Sequence, residues 1–279
     1  MTTAAVRPLV VTDRVALSAA RAALPGRVAV VMTMGGLHDG HVELVRRARA
    51  SADAVLVTVF VNPLQFGAGE DLERYPRTLA ADVERCGEAG ADVVLAPPPY
   101  VVYPAGEPVV RVSAGVLGEI FEGASRPGHL DGMLTVVAKL LHLTQPDLAL
   151  FGQKDAQQLA AVRRMVRDLD MGVEVVAVPT VRERDGLAMS SRNGYLSPPE
   201  RAAANALYRA LRTVADTGSL PAGRAVLDAE PLVRTDYLAR VDPDSFTADP
   251  RGGLAVVAAH VGATRLIDNL VLDPAVEGP

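Results

Sequence analysis

The sequence has few lysines, one cysteine and no basic run, and each shortage narrows the possible functions. Lysine occurs only at positions 139 and 154 among 28 lysines and arginines. The net charge is −5 and lysines and arginines are not clustered, which argues against a nucleic-acid-binding surface. The single cysteine, Cys86, cannot form an internal disulfide, and we interpret it as a small structural thiol rather than a nucleophile.

Long apolar runs are also missing. No stretch reaches the roughly 18 apolar residues that a membrane-spanning helix needs. The first residues lack a basic region followed by a long apolar segment, so we expect no signal peptide. These features predict a cytoplasmic protein that does not bind membranes. With 279 residues, of which 49% are hydrophobic, the chain can form one large or two smaller cores.

Short apolar runs alternate with helical patterns through the first two-thirds of the chain. Five runs are typical of buried strands: VAVVMT (28–33), AVLVTVFV (54–61), DVVLAP (92–97), DLALFG (147–152) and VEVVAVP (173–179). Strands that alternate with helices form βαβ units, and these predict a doubly wound parallel sheet with helices on both faces. Ligands bind such sheets at the carboxyl ends of the strands, where the polar, glycine-bearing segments follow.

The pattern changes after about residue 181. Ser197 is a predicted helix N-cap, Pro198 occupies the first helical position, and Glu200 completes a capping box, with Gly218 as the stop. Three strand-like segments come later. We therefore predict an α/β catalytic domain over residues 1–181 and a smaller α+β domain over residues 182–279.

The segment MTMGGLHDGH (32–41) joins the first of these predicted strands to a helix. A helix N-terminus presents unpaired N–H groups and a partial positive charge, which attract phosphate. Glycines at 35, 36 and 40 let an anion approach the backbone. His38 and His41 fall on neighbouring positions of the first helical turn, where both can donate to one phosphate group.

Two other interpretations of this segment stay open on the residues alone. A zinc site would use the two histidines, but the sequence has no HExxH motif and no second cysteine. A glycine turn with two solvated histidines would have no chemical role. P-loop and GxGxxG patterns are absent from the sequence.

The segment TMGGLHDGH resembles the HxGH motif of nucleotidylyltransferase-like enzymes. Three further blocks, FVNPLQFGAGEDLERYPRT (60–78), FGQKDAQQL (151–159) and PTVRERDGLAMSSRNGYL (179–196), resemble the pantothenate synthetase (pantoate–β-alanine ligase) family in order and spacing. TRLIDN (264–269) also fits this family.

That resemblance implies a Rossmann-like fold, a cytoplasmic homodimer, and substrates that are small molecules rather than nucleic acid. The expected reaction joins pantoate to β-alanine with ATP and Mg²⁺. The pantoate carboxylate attacks the α-phosphorus, and β-alanine then attacks the acyl carbon of pantoyl adenylate, releasing AMP. The C-terminal domain is expected to act as a lid.

The resemblance also implies roles for individual residues. Those expected to be catalytic are His38, His41, Lys154 and Arg192, with His41 as proton donor. Those expected to bind ATP are Met34, Gly35, Gly36, Leu37, His38, Asp39, Gly40, His41, Gly152, Gln153, Lys154, Asp155, Val181, Met189, Ser190, Ser191 and Arg192. Pantoate is expected to contact Gln65 and Gln158. His129 is interpreted as a buried structural histidine, and Asp82 as a residue able to approach a metal that the phosphates mostly hold.

The sequence departs from the family pattern at Met32, Ala81, Gln153 and Ala156. The change at Gln153 removes a carboxylate beside Lys154 and so alters the local charge. Two rival functions remain: an adenylyltransferase that uses a different acceptor, and a non-catalytic nucleotide-binding module. Arginines in place of Gln65 and Gln158 would favour a phosphorylated acceptor, and the sequence has glutamines there.

Overall fold

A computed structural model describes residues 7–67 and 72–272. The ends of the chain and residues 68–71, which belong to the predicted loop after AVLVTVFV, lie outside the described residues. The described chain forms two compact units. The first contains residues 7–152 and 161–178, and the second contains residues 153–160 and 179–272.

The first unit is built on a six-stranded sheet in the order β1-β4-β3-β2-β5-β6, and every recorded strand pair is parallel. The strands are β1 (Leu9–Val11), β2 (Val28–Thr33), β3 (Ala54–Val59), β4 (Val93–Leu95), β5 (Leu148–Gly152) and β6 (Glu174–Val178). The predicted runs at 28, 54, 92, 147 and 173 are therefore strands. β1 was not predicted.

Helices connect these parallel strands. They are α1 (Arg14–Ala23), α2 (Asp39–Ser51), α3 (Leu79–Glu88), α4 (Pro99–Val102), α5 (Phe121–Ser125), α6 (His129–Thr144) and α7 (Ala156–Asp168), with 3-10 turns at Pro63–Gln65 and Gly115–Glu119. The middle strands β2 and β3 are almost fully buried, as expected for β-branched runs covered on both faces.

The strand order reverses at β2. The chain passes from β2 to β3 on one side and later returns to β5 on the other side of β2. In doubly wound sheets, the crevice for a ligand lies at the carboxyl ends of the strands where the order reverses. The segment that begins at Met34 follows β2 at this point, and Gly152 ends the neighbouring β5.

The second unit contains a three-stranded antiparallel sheet in the order β7-β8-β9. Its elements are a 3-10 turn (Ser191–Tyr195), α8 (Pro198–Thr217), α9 (Leu220–Asp228), β7 (Val233–Val241), β8 (Leu254–Val261) and β9 (Thr264–Val271). Glu200 accepts from the Ser197 backbone N–H at 2.8 Å, and Gly218 ends α8 with φ of 67°. Both features agree with the predicted helix limits.

The predicted fold class is confirmed: a doubly wound α/β sheet is followed by a smaller α+β unit. The single cysteine, interpreted as a small structural thiol, is fully buried on α3 in the hydrophobic core of the first unit. Burial raises the pKa of Cys86 to about 12, so the thiol is protonated at neutral pH. Within the two described ranges, no helix has the length and apolar character to cross a membrane.

Gly132 on α6 allows a close contact with the turn at Pro63–Gln65. A Cβ at this position would overlap the backbone carbonyl of Leu64. We therefore expect Gly132→Ala to destabilise the protein by about 1–3 kcal/mol, although alanine is the better helix former. Thermal unfolding measures the change. Gly172→Ala, which meets open space, is the matched control, and an unchanged melting temperature for Gly132→Ala would contradict the contact.

Candidate active site

The turn between β2 and α2 depends on two glycines. Gly35 and Gly36 have φ of 85° and 62°, in the left-handed region that side chains with a Cβ disfavour. A Cβ on Gly35 would also lie 3.2 Å from both the Asp82 carboxylate and the Val59 side chain. The backbone N–H of Gly35 donates to the Thr33 hydroxyl at 3.3 Å. The turn is thus tightly enclosed by its neighbours.

Asp82 on α3 stabilises the same turn by accepting hydrogen bonds from two of its backbone N–H groups. Its Oδ2 accepts from the Gly36 N–H at 3.1 Å, and its Oδ1 accepts from the Leu37 N–H at 2.8 Å. The Thr78 hydroxyl lies 3.3 Å from each carboxylate oxygen. The residue is 2% exposed, so its charge is compensated by these donors rather than by water.

His38 and His41 form a reciprocal cap on α2. His38 is the N-cap, and its Nδ1 accepts from the Gly40 N–H at 3.2 Å. The Nδ1 of His41 accepts from the His38 N–H at 3.3 Å, and the two ring centroids are 4.1 Å apart. A neutral imidazole that accepts at Nδ1 carries its proton on Nε2, so both rings have their donor at Nε2.

Gln65 ends the short 3-10 turn after β3 and is oriented by a chain of hydrogen bonds. The Tyr103 hydroxyl donates to Oδ1 of Asn62 at 2.8 Å, so the Asn62 amide nitrogen faces Oε1 of Gln65 at 3.1 Å. Nε2 of Gln65 then donates to the Met34 sulfur at 3.0 Å. Burial raises the pKa of Tyr103, which keeps its hydroxyl a donor. One N–H and one lone pair of the Gln65 amide are used in these bonds.

Gln65 lies on the wall of a cleft of about 690 Å³ within the first unit. His129 lines the same cleft, and its Nδ1 contacts the Gln65 carbonyl oxygen at 2.8 Å. Arg126 donates to that carbonyl at 3.3 Å and lies 2.9 Å from Nε2 of His129. His129 was expected to be buried, and in this respect the interpretation was wrong, because the residue is only partly buried on the cleft wall at the start of α6. Its contacts with Arg126 and the Gln65 carbonyl agree with a structural role.

A smaller cleft of about 280 Å³ adjoins the glycine turn. It is lined by Met34, Gly35, Phe60, Pro76 and Asp82, among others. Two of these residues also make hydrogen bonds described above. Met34 accepts from Gln65, and Asp82 accepts from the glycine turn. The remaining predicted residues of the first unit, Asp39 and Gly152, lie at an exposed position of α2 and at the end of β5.

The second unit contains the turn of Gln153, Lys154 and Asp155, which precedes α7. Lys154 is mostly buried, with 19% of its side chain exposed, and its Nζ lies 3.4 Å from the Asp155 carboxylate. Asn269 on β9 donates to the carbonyl oxygens of Gln153 and Lys154. Gln158 is half-buried on the first turns of α7.

A short hairpin carries the remaining predicted residues. The Met189 N–H donates to the Val181 carbonyl at 3.0 Å, and Arg182 bridges to Ala188. The hairpin leads into the 3-10 turn at Ser191–Tyr195, where the Ser190 hydroxyl accepts from the Arg192 N–H at 3.2 Å. Ser191 and Arg192 are half-exposed.

Arg182 ties this hairpin to β9. Its guanidinium makes two bonds to the Asp268 carboxylate, at 2.6 and 3.1 Å, and lies over the Tyr208 ring at 4.5 Å. Burial pushes the pKa of Asp268 upward, and the paired guanidinium opposes that shift.

A divalent metal would find no preformed protein cage in the described ranges, where no three His, Cys, Asp or Glu side chains cluster suitably. Both oxygens of Asp82 accept from backbone N–H groups, and Ala81 beside it is exposed. Such surroundings fit a metal that is held mainly by substrate phosphates, as Mg²⁺ often is.

The structure brings the predicted residues Met34, Gly35, Gly36, His38, His41 and Gln65 together within the first unit. Sequence reasoning missed their supports: Asn62, Tyr103, Arg126 and the role of Asp82. Asn62 stands three positions before Gln65 in the segment 60–78, so the sequence does show a polar side chain close to a predicted ligand. Asn269 and Asp268 lie in TRLIDN, where the resemblance gave no role.

Comparisons with known proteins give one consistent result. The family described as pantoate-beta-alanine ligase matches residues 10–271. A pantothenate synthetase of Salinispora arenicola is 58% identical, covering 93% of this chain and 96% of its own. One of Streptomyces coelicolor is 56% identical, covering 88% of this chain and 91% of its own.

Solved structures agree with the sequence matches. The pantothenate synthetase of Thermus thermophilus has a TM-score of 0.89 at 50% identity, covering 95% of this chain and all of its own. The pantoate-beta-alanine ligase of Francisella tularensis, complexed with beta-gamma ATP and beta-alanine, has a TM-score of 0.83 at 30% identity. It covers 96% of this chain and 100% of its own.

The Asp82 carboxylate is expected to fix the glycine turn. In Asp82→Asn, an amide N–H₂ replaces one acceptor and faces a backbone N–H, so we expect a loss of about 1–3 kcal/mol in the free energy of unfolding. We also expect weaker binding of ATP, which titration calorimetry measures together with denaturant unfolding. Glu84→Gln, an exposed carboxylate on the same helix, is the control.

A metal-ligand role for Asp82 gives a different outcome. In that case, Asp82→Asn would shift the Mg²⁺ concentration needed for ATP binding and leave the free energy of unfolding unchanged.

Proposed function

The chain belongs to the pantoate–β-alanine ligase family, and we propose that it carries out the reaction of this family with the residues described above. The reaction is the ATP-dependent condensation of pantoate with β-alanine. The pantoate carboxylate attacks the α-phosphorus of ATP, which forms pantoyl adenylate and releases pyrophosphate. The β-alanine amine then attacks the acyl carbon, the bond to the phosphate oxygen breaks, and pantothenate and AMP are released.

Activation is needed because a carboxylate is a poor acyl donor. Its oxygen becomes a good leaving group only when it is part of the mixed anhydride with AMP. The enzyme must therefore stabilise negative charge on the phosphates, align the carboxylate with phosphorus and keep water from the adenylate.

The His38–His41 pair is the observation that carries the proposal. Both rings accept backbone N–H groups at Nδ1, at 3.2 and 3.3 Å, so each has its proton on Nε2. The rings sit at the N-terminus of α2, where the helix dipole favours an anion. Two neutral donors and a helix terminus suit the charge that develops on the phosphates as pyrophosphate leaves. We assign His41 as the proton donor.

The other residue roles extend this assignment. Lys154 and Arg192 would supply positive charge to the triphosphate, with Ser190 and Ser191 donating to its oxygens. Met34 and Val181 would contact the adenine. Gln65 and Gln158 would hold pantoate, because an amide can both donate to its carboxylate and accept from its hydroxyls without burying a charge. The oriented amide of Gln65 supports its part of this proposal.

Mg²⁺ would arrive with the triphosphate. The described carboxylates form no metal cluster, and a phosphate-bound Mg²⁺ needs few protein ligands. When bound, it would neutralise part of the negative charge of the triphosphate. The homodimer, and the division into a catalytic domain (1–181) and a lid domain (182–279), stay predictions.

Two product assays test the function. We expect pyrophosphate release from ATP and Mg²⁺ to require pantoate alone, and AMP release to require the further addition of β-alanine. Pyrophosphate release with another acid but not with pantoate would favour the rival adenylyltransferase. Binding of ATP with no pyrophosphate from any acid would favour the non-catalytic module.

The role of His41 can be tested separately. His41→Ala should lower the single-turnover rate of adenylate formation by about 10²–10³-fold, because a donor to the developing charge is lost. The dissociation constant of pantoate should change little. His142→Ala removes an exposed histidine on α6 and should leave the rate unchanged. Unchanged adenylation in His41→Ala would refute its assigned role.

A further inference from the structure

The backbone on both sides of Lys154 is hydrogen-bonded by a side chain from a distant strand. Gln153, Lys154 and Asp155 connect the end of β5 to the start of α7, and of their carbonyl groups that of Asp155 accepts a helical hydrogen bond, from the Leu159 N–H at 2.9 Å. Lys154 has a long side chain with many rotamers. The position of its ammonium therefore depends on the backbone of the turn as well as on the Asp155 carboxylate, which lies 3.4 Å from Nζ.

Asn269 supplies that fixation. Its amide nitrogen donates to the Gln153 carbonyl and to the Lys154 carbonyl, at 2.8 Å in both cases. Both N–H groups of the amide are used, so the two peptide planes on either side of the lysine are set by one side chain. The residue is only 5% exposed, and water competes poorly for these bonds.

Asn269 is itself rigidly placed. It pairs with Val256 across the β8–β9 ladder. Its carbonyl accepts from the Arg182 guanidinium at 2.9 Å, and its N–H donates to the Asp268 carboxylate at 2.7 Å. Asp268 in turn accepts two hydrogen bonds from Arg182. The amide is thus anchored by a strand on one side and an ion pair on the other.

We propose that Asn269 is a positioning residue for Lys154, orienting its ammonium toward the ATP phosphates. The inference rests on the proposed function, in which Lys154 binds the triphosphate. The bonds reach the Gln153 carbonyl and not its side chain, so the change from the family's glutamate to Gln153 leaves this support intact. Loss of Asn269 should act through Lys154 rather than through the stability of the fold.

Asn269→Leu is the variant that tests this role, because leucine has the same branched heavy-atom skeleton as asparagine but no hydrogen-bond donor. We expect kcat/KM for ATP in the pyrophosphate-release assay to fall by about 10–100-fold, with the KM for pantoate within about twofold of wild type. Asn269→Ala serves as a second variant if Asn269→Leu folds poorly.

A double-mutant cycle separates positioning from a structural effect. In a Lys154→Met background, the further change Asn269→Leu should alter kcat/KM by less than about twofold, because the group that it orients is already gone. Multiplicative losses in the double variant would overturn the proposal. Thermal unfolding of each variant is measured in parallel.

Leu266→Ala is the control for stability. Leu266 is buried on the same strand, three residues away, and packs in the core of the second unit. We expect it to lower the melting temperature while leaving kcat/KM for ATP unchanged. If Leu266→Ala lowers kcat/KM as much as Asn269→Leu at an equal loss of stability, the effect of Asn269 is structural and the proposal is wrong.

Assays of the wild-type protein separate a failure of the role of Asn269 from a failure of the proposed ligase function. Pantoate-dependent pyrophosphate release by the wild type, together with unchanged kinetics in Asn269→Leu, would overturn only the role of Asn269. Absence of this release in folded wild-type protein would overturn the proposed function first.

Discussion

The left-handed backbone at Gly35 and Gly36, held by the Asp82 carboxylate, is the constraint on which the candidate site of the first unit depends. A chain that leaves a buried strand and enters a helix has N–H groups without partners at the bend. Asp82 takes two of them. The bend then has one conformation, and the helix start that carries His38 and His41 has one direction. The two rings cap that start through Nδ1, so the positions of their Nε2 donors follow from the turn.

The sequence predicts most of the fold because the inner strands are buried on both faces and are therefore almost uniformly apolar, while the partly exposed edge strand β6 is still a short valine-rich run. The five predicted runs are β-branched or leucine-rich, and each forms a strand of the sheet. β1 escapes this reasoning for a physical reason. It has three residues on the edge of the sheet, and two of them are exposed, so it lacks a buried run to recognise. The helix limits at Ser197 and Gly218 could be predicted because caps are local interactions.

The candidate site could be predicted only in part, since its supports come from distant positions. The motifs predict that His38, Gln65 and Lys154 carry groups that act in the site. They do not reveal what orients these groups. Asn269 and Gln153 are 116 positions apart, and Asp82 and Gly36 are 46 apart. No periodicity or local spacing joins such pairs, so they become visible only when the chain is folded.

Each unit has a buried carboxylate whose hydrogen bonds go to backbone N–H groups or to an arginine. Neither carboxylate is therefore needed to balance the charge of a metal during the proposed reaction. Asp82 is compensated by N–H donors, and Asp268 by Arg182. Neither is placed in a described cluster of metal ligands. If Mg²⁺ is held by the triphosphate, the metal and the nucleotide bind as one charged unit, and the affinity for each depends on the other by linkage. The protein then needs neutral donors and a few fixed cations rather than a metal cage.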